Sequence, residues 1–193
     1  MEIKKSPAVF LDRDGTINEE VGYVNHPARF WLLPGVGEAI KRLNDARIFV
    51  IVATNQSGVA RGDFDESLVR EVHQKMQHLL SEQGARVDKI YYCPHHPTVG
   101  PPEYRKDCEC RKPRIEMINK AVSELPIDLR SSYSLGDRIK DVYFGHNAGL
   151  KSILVLTGYG RGEYEFQRHK WKEEPEFIAE NLLEAVAIGK AAN

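Results

Sequence analysis

Residues 8–16 read AVFLDRDGT, so four apolar side chains pass directly into two aspartates one residue apart. A short apolar run of this kind predicts a strand that is buried on both faces, as strands of parallel sheets are. The aspartates do not belong in a core and mark the end of the strand. The sequence therefore predicts a buried strand at residues 8–11 with carboxylates at its carboxyl end.

Strands and helices alternate along the rest of the chain. Further strands are predicted at residues 48–53, 90–92, 133–135 and 153–156. Helices are predicted from residues 36, 65, 115 and 138, and a closing amphipathic helix is predicted over residues 178–188. Strands separated by helices pair in parallel through right-handed crossovers. The expected fold class is α/β, a three-layer, doubly wound and mainly parallel sheet.

Length and composition narrow the classes of protein. The chain has 193 residues with 27 basic and 28 acidic side chains. We expect a single domain over residues 1–193, because domains typically have ~100–200 residues. The balanced charge argues against nucleic-acid binding. The longest apolar run is too short to span a membrane, and the N-terminal MEIKK lacks a signal peptide's apolar segment. We therefore expect a cytoplasmic protein that binds neither nucleic acid nor a membrane. We also expect it to be a monomer.

Polar residues follow three of the predicted strands. Asp12 and Asp14 follow the first, Thr54 follows the second, and Asp137 follows the strand at 133–135. Doubly wound sheets bind ligands beyond the carboxyl ends of their strands, so these residues should converge. Three converging carboxylates need a cation, and oxygen ligands suit Mg²⁺. The alternative, that the aspartates only cap helices or end turns, does not require them to converge.

All three cysteines lie within residues 93–113, which we name the zinc loop. Cys93 precedes two histidines, His95 and His96, and Cys108 and Cys110 follow twelve residues later. Three thiolates and one imidazole suit tetrahedral Zn²⁺ in a closed, structural site, and the spacing leaves both histidines open as the fourth ligand. Such a site would stiffen the loop that leads to residues 111 and 112. The alternative is a set of buried thiols beside a surface histidine.

Four ordered motifs carry a resemblance to a known family. They are DRDGT at 12–16, TN at 54–55, RKP at 111–113, and GD at 136–137 with an aspartate at 141. Their order and spacing resemble the haloacid-dehalogenase-type phosphatases from residue 8 to about residue 156. The resemblance implies a Mg²⁺-dependent phosphomonoesterase. No stretch of the chain is long enough for a large cap domain.

The resemblance assigns the chemistry to the motif residues. Asp12 would attack phosphorus to form an aspartyl-phosphate, with Asp14 as general acid and then general base. Mg²⁺ would be held by Asp12, by Asp137 and by the backbone carbonyl of Asp14. Lys112 would bring positive charge to the phosphoryl group, and Thr54 a hydroxyl.

Asp141 would orient Lys112 or a water on the metal. The zinc loop is similar to those of the heptose bisphosphate phosphatases and the histidinol phosphatases, and this resemblance selects His95 as the zinc ligand beside Cys93, Cys108 and Cys110. Residues 20–24 and 55–62 favour the heptose enzymes, and a histidinol-phosphate phosphatase is the alternative. At position 138 this chain has Arg138 where the family often has lysine.

A sugar bisphosphate substrate would need a second anion site. Arg111 is the preferred candidate because a guanidinium suits phosphate, and Arg61 and Arg138 are the others. Residues of the second and third motifs, or residues that follow the first two, could line the sugar pocket or hold its phosphates: Glu20, Gly22, Tyr23, Thr54, Asn55, Gln56, Ser57 and Lys112.

Two further functions compete with this reading, one of them from another class of protein. A polynucleotide 3′-phosphatase shares the first motif but requires a basic groove. A zinc-dependent interaction module would leave the acidic motifs without use. Residues 157–176 have no predicted role beyond a surface excursion.

Overall fold

The structure is a computed structural model that describes residues 4–191. Residues 1–3, which begin the N-terminal segment MEIKK that was predicted not to be a signal peptide, lie outside the described residues. Within residues 4–191, no helix combines the length and the apolar character that crossing a membrane requires.

The centre of the fold is one parallel sheet of six strands in the order β3-β2-β1-β4-β5-β6. The strands are β1 (Ala8–Leu11), β2 (Phe49–Asn55), β3 (Lys89–Cys93), β4 (Tyr133–Gly136), β5 (Lys151–Val155) and β6 (Phe177–Ala179). All five neighbouring pairs run parallel. The chain winds from β1 outward to β3, then returns to the other side of β1 and continues to β6. The winding direction therefore changes beside β1, where such sheets open a crevice for ligands.

Helices cover both faces of the sheet. They are α1 (Val36–Asp45), α2 (Gly58–Arg61), α3 (Glu66–Glu82), α4 (Glu116–Glu124), α5 (Ile139–Asn147), α6 (Gly160–Gly162) and α7 (Leu182–Ala191). Single turns of other helical types lie at Pro27–Arg29, Leu129–Ser131, Glu163–Gln167 and Arg168–Lys170. The Asp65 carboxylate starts α3 by accepting a hydrogen bond from the Leu68 amide at 3.0 Å.

Side chains of β1 alternate between two apolar clusters. Val9 and Leu11 pack on one face of the sheet with side chains of α1, α3 and α7. Ala8 and Phe10 pack on the other face with side chains of α4 and α5. This double burial explains why the strand is apolar at every position. It confirms the predicted three-layer α/β architecture, and residues 4–191 form no large cap domain.

The predicted helix over residues 178–188 is wrong at its start. Residues 177–179 form the edge strand β6, which pairs with β5. Helix α7 begins only at residue 182, after Asn181, whose side chain accepts a hydrogen bond from the Glu184 amide at 3.0 Å. A three-residue strand is too short to show periodicity, and its pairing depends on the open edge of β5. β2 also extends two residues beyond the predicted end, through Thr54 and Asn55.

Candidate active site

The carboxyl ends of β1, β2 and β4 meet at a cleft of about 260 Å³. The cleft lies where the winding direction of the sheet changes, as the polar strand ends predict. Its lining residues are Asp12, Asp14, Glu20, Gly22, Tyr23, Val24, Thr54, Asn55, Gln56, Ser57, Arg111, Asp137, Arg138, Lys140 and Tyr159.

A buried lysine lies between two buried carboxylates at the base of this site. Lys112 Nζ is 2.8 Å from Asp12 Oδ1 and 2.7 Å from Asp141 Oδ1. Burial alone would lower the pKa of Lys112, but the two carboxylates outweigh it and raise that pKa above 10.5. Burial likewise opposes ionisation of Asp12, but Lys112 and Lys140 hold the pKa of Asp12 below 3.8. Asp12 is therefore a carboxylate and Lys112 an ammonium group.

Asp137 completes a group of three carboxylates. One oxygen each of Asp12, Asp137 and Asp141 lies within 4.8 Å of the others. Burial, with repulsion from the other two aspartates, raises the pKa of Asp137 to about 8. Its Oδ2 accepts a hydrogen bond from the Tyr159 amide at 2.8 Å, whereas its buried Oδ1 has no hydrogen-bond partner among the described residues. A divalent cation would satisfy that oxygen and relieve the repulsion, so these residues fit Mg²⁺.

Gly15 leaves the space that Asp137 occupies. Its φ is 77°, and a Cβ at this position would lie 2.1 Å from Asp137 Oδ2. Both the backbone conformation and the close approach require glycine at the turn after β1. The DRDGT motif thus sets the position of Asp137 as well as that of its own aspartates.

Asp14 is fixed by a buried polar network. Its carboxylate accepts hydrogen bonds from Arg13 Nη2 at 2.8 Å, from Gln56 Nε2 at 2.8 Å and from Asn18 Nδ2 at 3.0 Å. Arg13 is fully buried, and its Nη1 lies 3.3 Å from His73 Nε2. Burial, together with Arg13, lowers the pKa of His73 to about 3, so His73 is neutral. The side chain of Gln56 is therefore used within the protein, where it also donates to Thr54 Oγ1 at 3.1 Å.

Asn55 connects β2 to the zinc loop. Its Nδ2 donates to the Lys112 carbonyl at 3.2 Å, and its Oδ1 accepts from the Lys112 amide at 3.1 Å. This paired contact fixes the backbone from which the Lys112 side chain reaches the carboxylates. Asn55, which was predicted to bind the substrate, therefore positions Lys112 through its side chain.

The three cysteines converge with one histidine. Sγ of Cys108 lies 3.4 Å from that of Cys93 and 3.2 Å from that of Cys110, and His95 Nδ1 is 3.3 Å from Cys110 Sγ. All three thiols are free, and burial raises the pKa of Cys108. These separations approach the ~3.8 Å edge of a tetrahedron with Zn–S bonds of about 2.3 Å, so the group fits a bound metal ion.

His96 lies outside the cysteine cluster. Its Nε2 is 3.0 Å from Arg61 Nη2, and its Nδ1 accepts from the Thr98 amide at 3.2 Å. The structure thus places His95 with the cysteines, and it places Arg61 against His96 and outside the lining of the cleft. By contrast, Arg111 lines the cleft and donates from Nη1 to the His95 carbonyl at 3.0 Å. The histidine that joins the cysteines therefore also holds Arg111.

The outer rim of the cleft holds the residues predicted to contact a sugar. Glu20 Oε1 accepts a hydrogen bond from the Gly22 amide at 2.6 Å, and burial raises the pKa of Glu20. The Tyr23 ring is 40% exposed and packs edge-on against Phe64, with ring centroids 6.1 Å apart. Ser57 lies at the start of α2. Tyr23 is therefore both a packing ring and part of the rim.

Three residues that were not predicted as site residues lie in the segments that follow β4 and β5. Lys140 and Tyr159 line the cleft, and Glu163 Oε1 is 3.1 Å from Arg138 Nε. Lys140 could have been found, because it lies in the first turn of the helix that follows Asp137. Tyr159 also had a signal, because β5 ends at the same edge as β1. Glu163 had none, since its contact joins residues 25 positions apart.

Known proteins share the fold of this chain and much of its sequence. A family model described as HAD-hydrolase-like matches residues 109–185. A D-glycero-beta-D-manno-heptose-1,7-bisphosphate 7-phosphatase of Haemophilus ducreyi is 44% identical over 78% of this chain and 84% of its own length. The protein of the same name from Escherichia coli K12 is 42% identical over 80% of this chain and 82% of its own length.

A solved structure agrees with the sequence relatives. The D,D-heptose 1,7-bisphosphate phosphatase of B. bronchiseptica, complexed with magnesium and phosphate, is 33% identical and has a TM-score of 0.85. The comparison covers 97% of this chain and 99% of that chain. The histidinol-phosphate alternative is not favoured by these relatives. This chain belongs to the D-glycero-D-manno-heptose 1,7-bisphosphate 7-phosphatase family, which are phosphoric monoester hydrolases of the haloacid-dehalogenase type.

Proposed function

We propose that this protein removes the 7-phosphate of D-glycero-D-manno-heptose 1,7-bisphosphate and leaves heptose 1-phosphate. The observation that carries the proposal is the buried Asp12–Lys112 pair, 2.8 Å apart, beside Asp137 in a cleft lined by several cations. Family membership supports the same substrate. The relatives are named for the β anomer, which we propose as the preferred form.

Asp12 is the proposed nucleophile. Its carboxylate oxygen attacks phosphorus, the bond from phosphorus to O7 breaks, and Asp14 gives its proton to the departing O7. Asp14 then accepts a proton from the water that attacks the aspartyl-phosphate, which releases inorganic phosphate and restores Asp12. Lys112 Nζ stabilises the charge that develops on the phosphoryl oxygens, and Asp141 holds that ammonium group in place.

Asp12, Asp137 and the backbone carbonyl of Asp14 are the proposed Mg²⁺ ligands. When bound, Mg²⁺ would offset the repulsion between these carboxylates and an incoming phosphate. The Thr54 hydroxyl is held by Gln56 at 3.1 Å and lines the same cleft, where it can donate to a phosphoryl oxygen. The backbone amides after β2, up to Ser57, complete the proposed phosphate cradle.

Cys93, His95, Cys108 and Cys110 are the proposed Zn²⁺ ligands. Four protein ligands leave no open position, so the metal would be structural. It would hold the loop from which Arg111 and Lys112 reach the cleft. Reduced thiols persist in the cytoplasm, which is the proposed location of the protein. We propose that it acts as a monomer.

The second phosphate of the substrate is proposed to lie toward Arg111 and Arg138. Both line the cleft, and together with Lys140 they also line an adjoining cavity of about 370 Å³. Arg61 is a weaker candidate because it contacts His96. Glu20, Gly22 and Tyr23 are left to contact the sugar between the two phosphates.

A phosphate-release assay over a panel of substrates tests this proposal. The panel contains both anomers of heptose 1,7-bisphosphate, histidinol phosphate and a 3′-phosphorylated oligonucleotide, each with Mg²⁺ and in Mg²⁺-free buffer. We expect kcat/KM for the β-bisphosphate to exceed that for histidinol phosphate by at least about 100-fold, with activity dependent on Mg²⁺. Preference for histidinol phosphate or for the oligonucleotide would refute the substrate assignment.

Two aspartate variants provide the matched comparison. Asp12→Asn removes the nucleophile and should abolish phosphate release while the protein remains folded. Asp45→Asn changes an exposed carboxylate that pairs with Lys41 at 2.9 Å, away from the cleft, and should leave the activity unchanged. Residual activity of Asp12→Asn near that of the unsubstituted protein would rule out the aspartyl-phosphate.

A further inference from the structure

Arg138 is held by two residues of the segment that follows β5. Glu163 Oε1 accepts a hydrogen bond from Arg138 Nε at 3.1 Å, and the guanidinium carbon lies 4.2 Å from the centroid of the Tyr159 ring. One edge and one face of the guanidinium are thus occupied. The two η nitrogens have no partner among residues 4–191.

Glu163 itself is firmly placed. Its side chain is 8% exposed, whereas that of Arg138 is 38% exposed. Its second oxygen, Oε2, accepts a hydrogen bond from the Ile139 amide at 2.6 Å, at the start of α5. One carboxylate therefore holds both the Arg138 side chain and the backbone next to it.

Arg138 lies beside a cavity whose charged lining residues are mainly cations. Arg138 lines both the cleft and the adjoining cavity, and Arg111 and Lys140 line both as well. Glu163 is the one acid among the residues that line the adjoining cavity. An anionic group there would meet three cations, of which Arg138 is already oriented before it binds.

We propose that Glu163 and Tyr159 are positioning residues that orient Arg138 toward the second, anomeric phosphate of the bisphosphate substrate. This inference rests on the proposed function and adds the determinants of its preference for a bisphosphate. A free arginine side chain loses rotamer freedom when it binds a phosphate, and prior orientation removes much of that cost. We call Glu163 and Tyr159 the clamp on Arg138. The clamp therefore strengthens binding of a substrate with two phosphates and has little effect on a substrate with a single phosphate.

The test compares heptose 1,7-bisphosphate with heptose 7-phosphate, which lacks the anomeric phosphate. The measured quantity is the ratio of the two kcat/KM values. Glu163→Gln keeps the shape but loses the charge, and we expect it to lower this ratio roughly 3- to 10-fold, through KM for the bisphosphate. Glu174→Gln is the matched control, because Glu174 pairs with Arg168 Nε at 3.0 Å in an exposed position, and the ratio should not change.

A double-mutant cycle separates positioning from a general structural effect. Arg138→Ala alone should lower the ratio, and Glu163→Gln added to it should cause no further fall. If Glu163→Gln fails to fold, Tyr159→Leu carries the test, with Tyr159→Phe expected to restore the ratio because it keeps the ring. Thermal melting of each variant identifies those that fold.

Two results would overturn the inference. One is an equal loss of kcat/KM on both substrates in Glu163→Gln, and the other is additive loss in the double variant. If the unsubstituted protein prefers heptose 1,7-bisphosphate but Glu163→Gln keeps that preference, the clamp is refuted and the proposed function stands. If the unsubstituted protein does not hydrolyse the bisphosphate, both are refuted.

Discussion

The raised pKa of Asp137 should make the magnesium-free protein less stable as the pH rises. Burial, with repulsion from Asp12 and Asp141, raises the pKa of Asp137 from 3.8 to about 8. Between these values the folded chain holds the proton that the unfolded chain has released, so the free energy of unfolding falls with increasing pH. At about 1.4 kcal/mol per pH unit, the total loss at pH 8 is at most about 6 kcal/mol.

Urea unfolding of Asp137→Asn and of the unsubstituted protein measures the contribution of Asp137 to the free energy of unfolding. Asparagine has the shape of the protonated aspartate but cannot ionise. In Mg²⁺-free buffer, Asp137→Asn should be the more stable protein, and its advantage should grow by about 4 kcal/mol from pH 5 to pH 8. Taking the difference between the two proteins removes the contributions of other titrating groups, such as the buried His73.

Magnesium should reverse the effect. Mg²⁺ added at pH 8 should stabilise the unsubstituted protein strongly and Asp137→Asn much less, because the ion binds the folded carboxylates. Asp45→Asn, a change at an exposed aspartate, should behave like the unsubstituted protein. An advantage of Asp137→Asn that is the same at pH 5 and pH 8 would refute the electrostatic account of this cluster.

Three further substitutions test separate parts of the site. Lys112→Met leaves Asp12 and Asp141 without their shared cation, so the free energy of unfolding in urea should fall by about 3–5 kcal/mol. At saturating substrate kcat should fall roughly 100- to 1,000-fold, and a loss below tenfold would contradict the role of Lys112. Gly15→Ala introduces a Cβ 2.1 Å from Asp137 Oδ2 at a φ of 77°, so the free energy of unfolding should fall by about 1–3 kcal/mol or more. A higher Mg²⁺ concentration should be needed for half-maximal activity, and an unchanged Mg²⁺ dependence would show that Asp137 is not displaced. Cys108→Ser should lower the zinc content measured by atomic absorption and lower kcat/KM, without rescue by extra Mg²⁺, because Arg111 and Lys112 lose their support; full activity without zinc would contradict the structural role of the loop.

The sequence predicted what local patterns and parallel winding determine. Apolar runs such as residues 8–11 locate buried strands, and the polar residues after them locate the cleft, because parallel strands end at one edge. The grouping of Cys93, His95, Cys108 and Cys110 followed from their spacing and the family resemblance. These features depend on residues near one another in the chain or on one topological rule.

The missed features depend on contacts between distant segments. Asn55 holds the Lys112 backbone across 57 positions, and Glu163 reaches Arg138 across 25 positions. Neither pairing leaves a periodic or compositional signal. The edge strand β6 was missed for a related reason, because three residues pair only where β5 leaves an open edge. Supporting residues of an active site are thus harder to predict than the groups they support.

The position of cleavage tests the central claim most directly. Phosphorus-31 NMR of the reaction with heptose 1,7-bisphosphate distinguishes the primary ester at C7 from the anomeric ester at C1. With Mg²⁺ present, the C7 resonance should disappear as inorganic phosphate forms, and the anomeric resonance should remain. Loss of the anomeric resonance first, or equal turnover by Asp12→Asn, would contradict a 7-phosphatase that acts through Asp12.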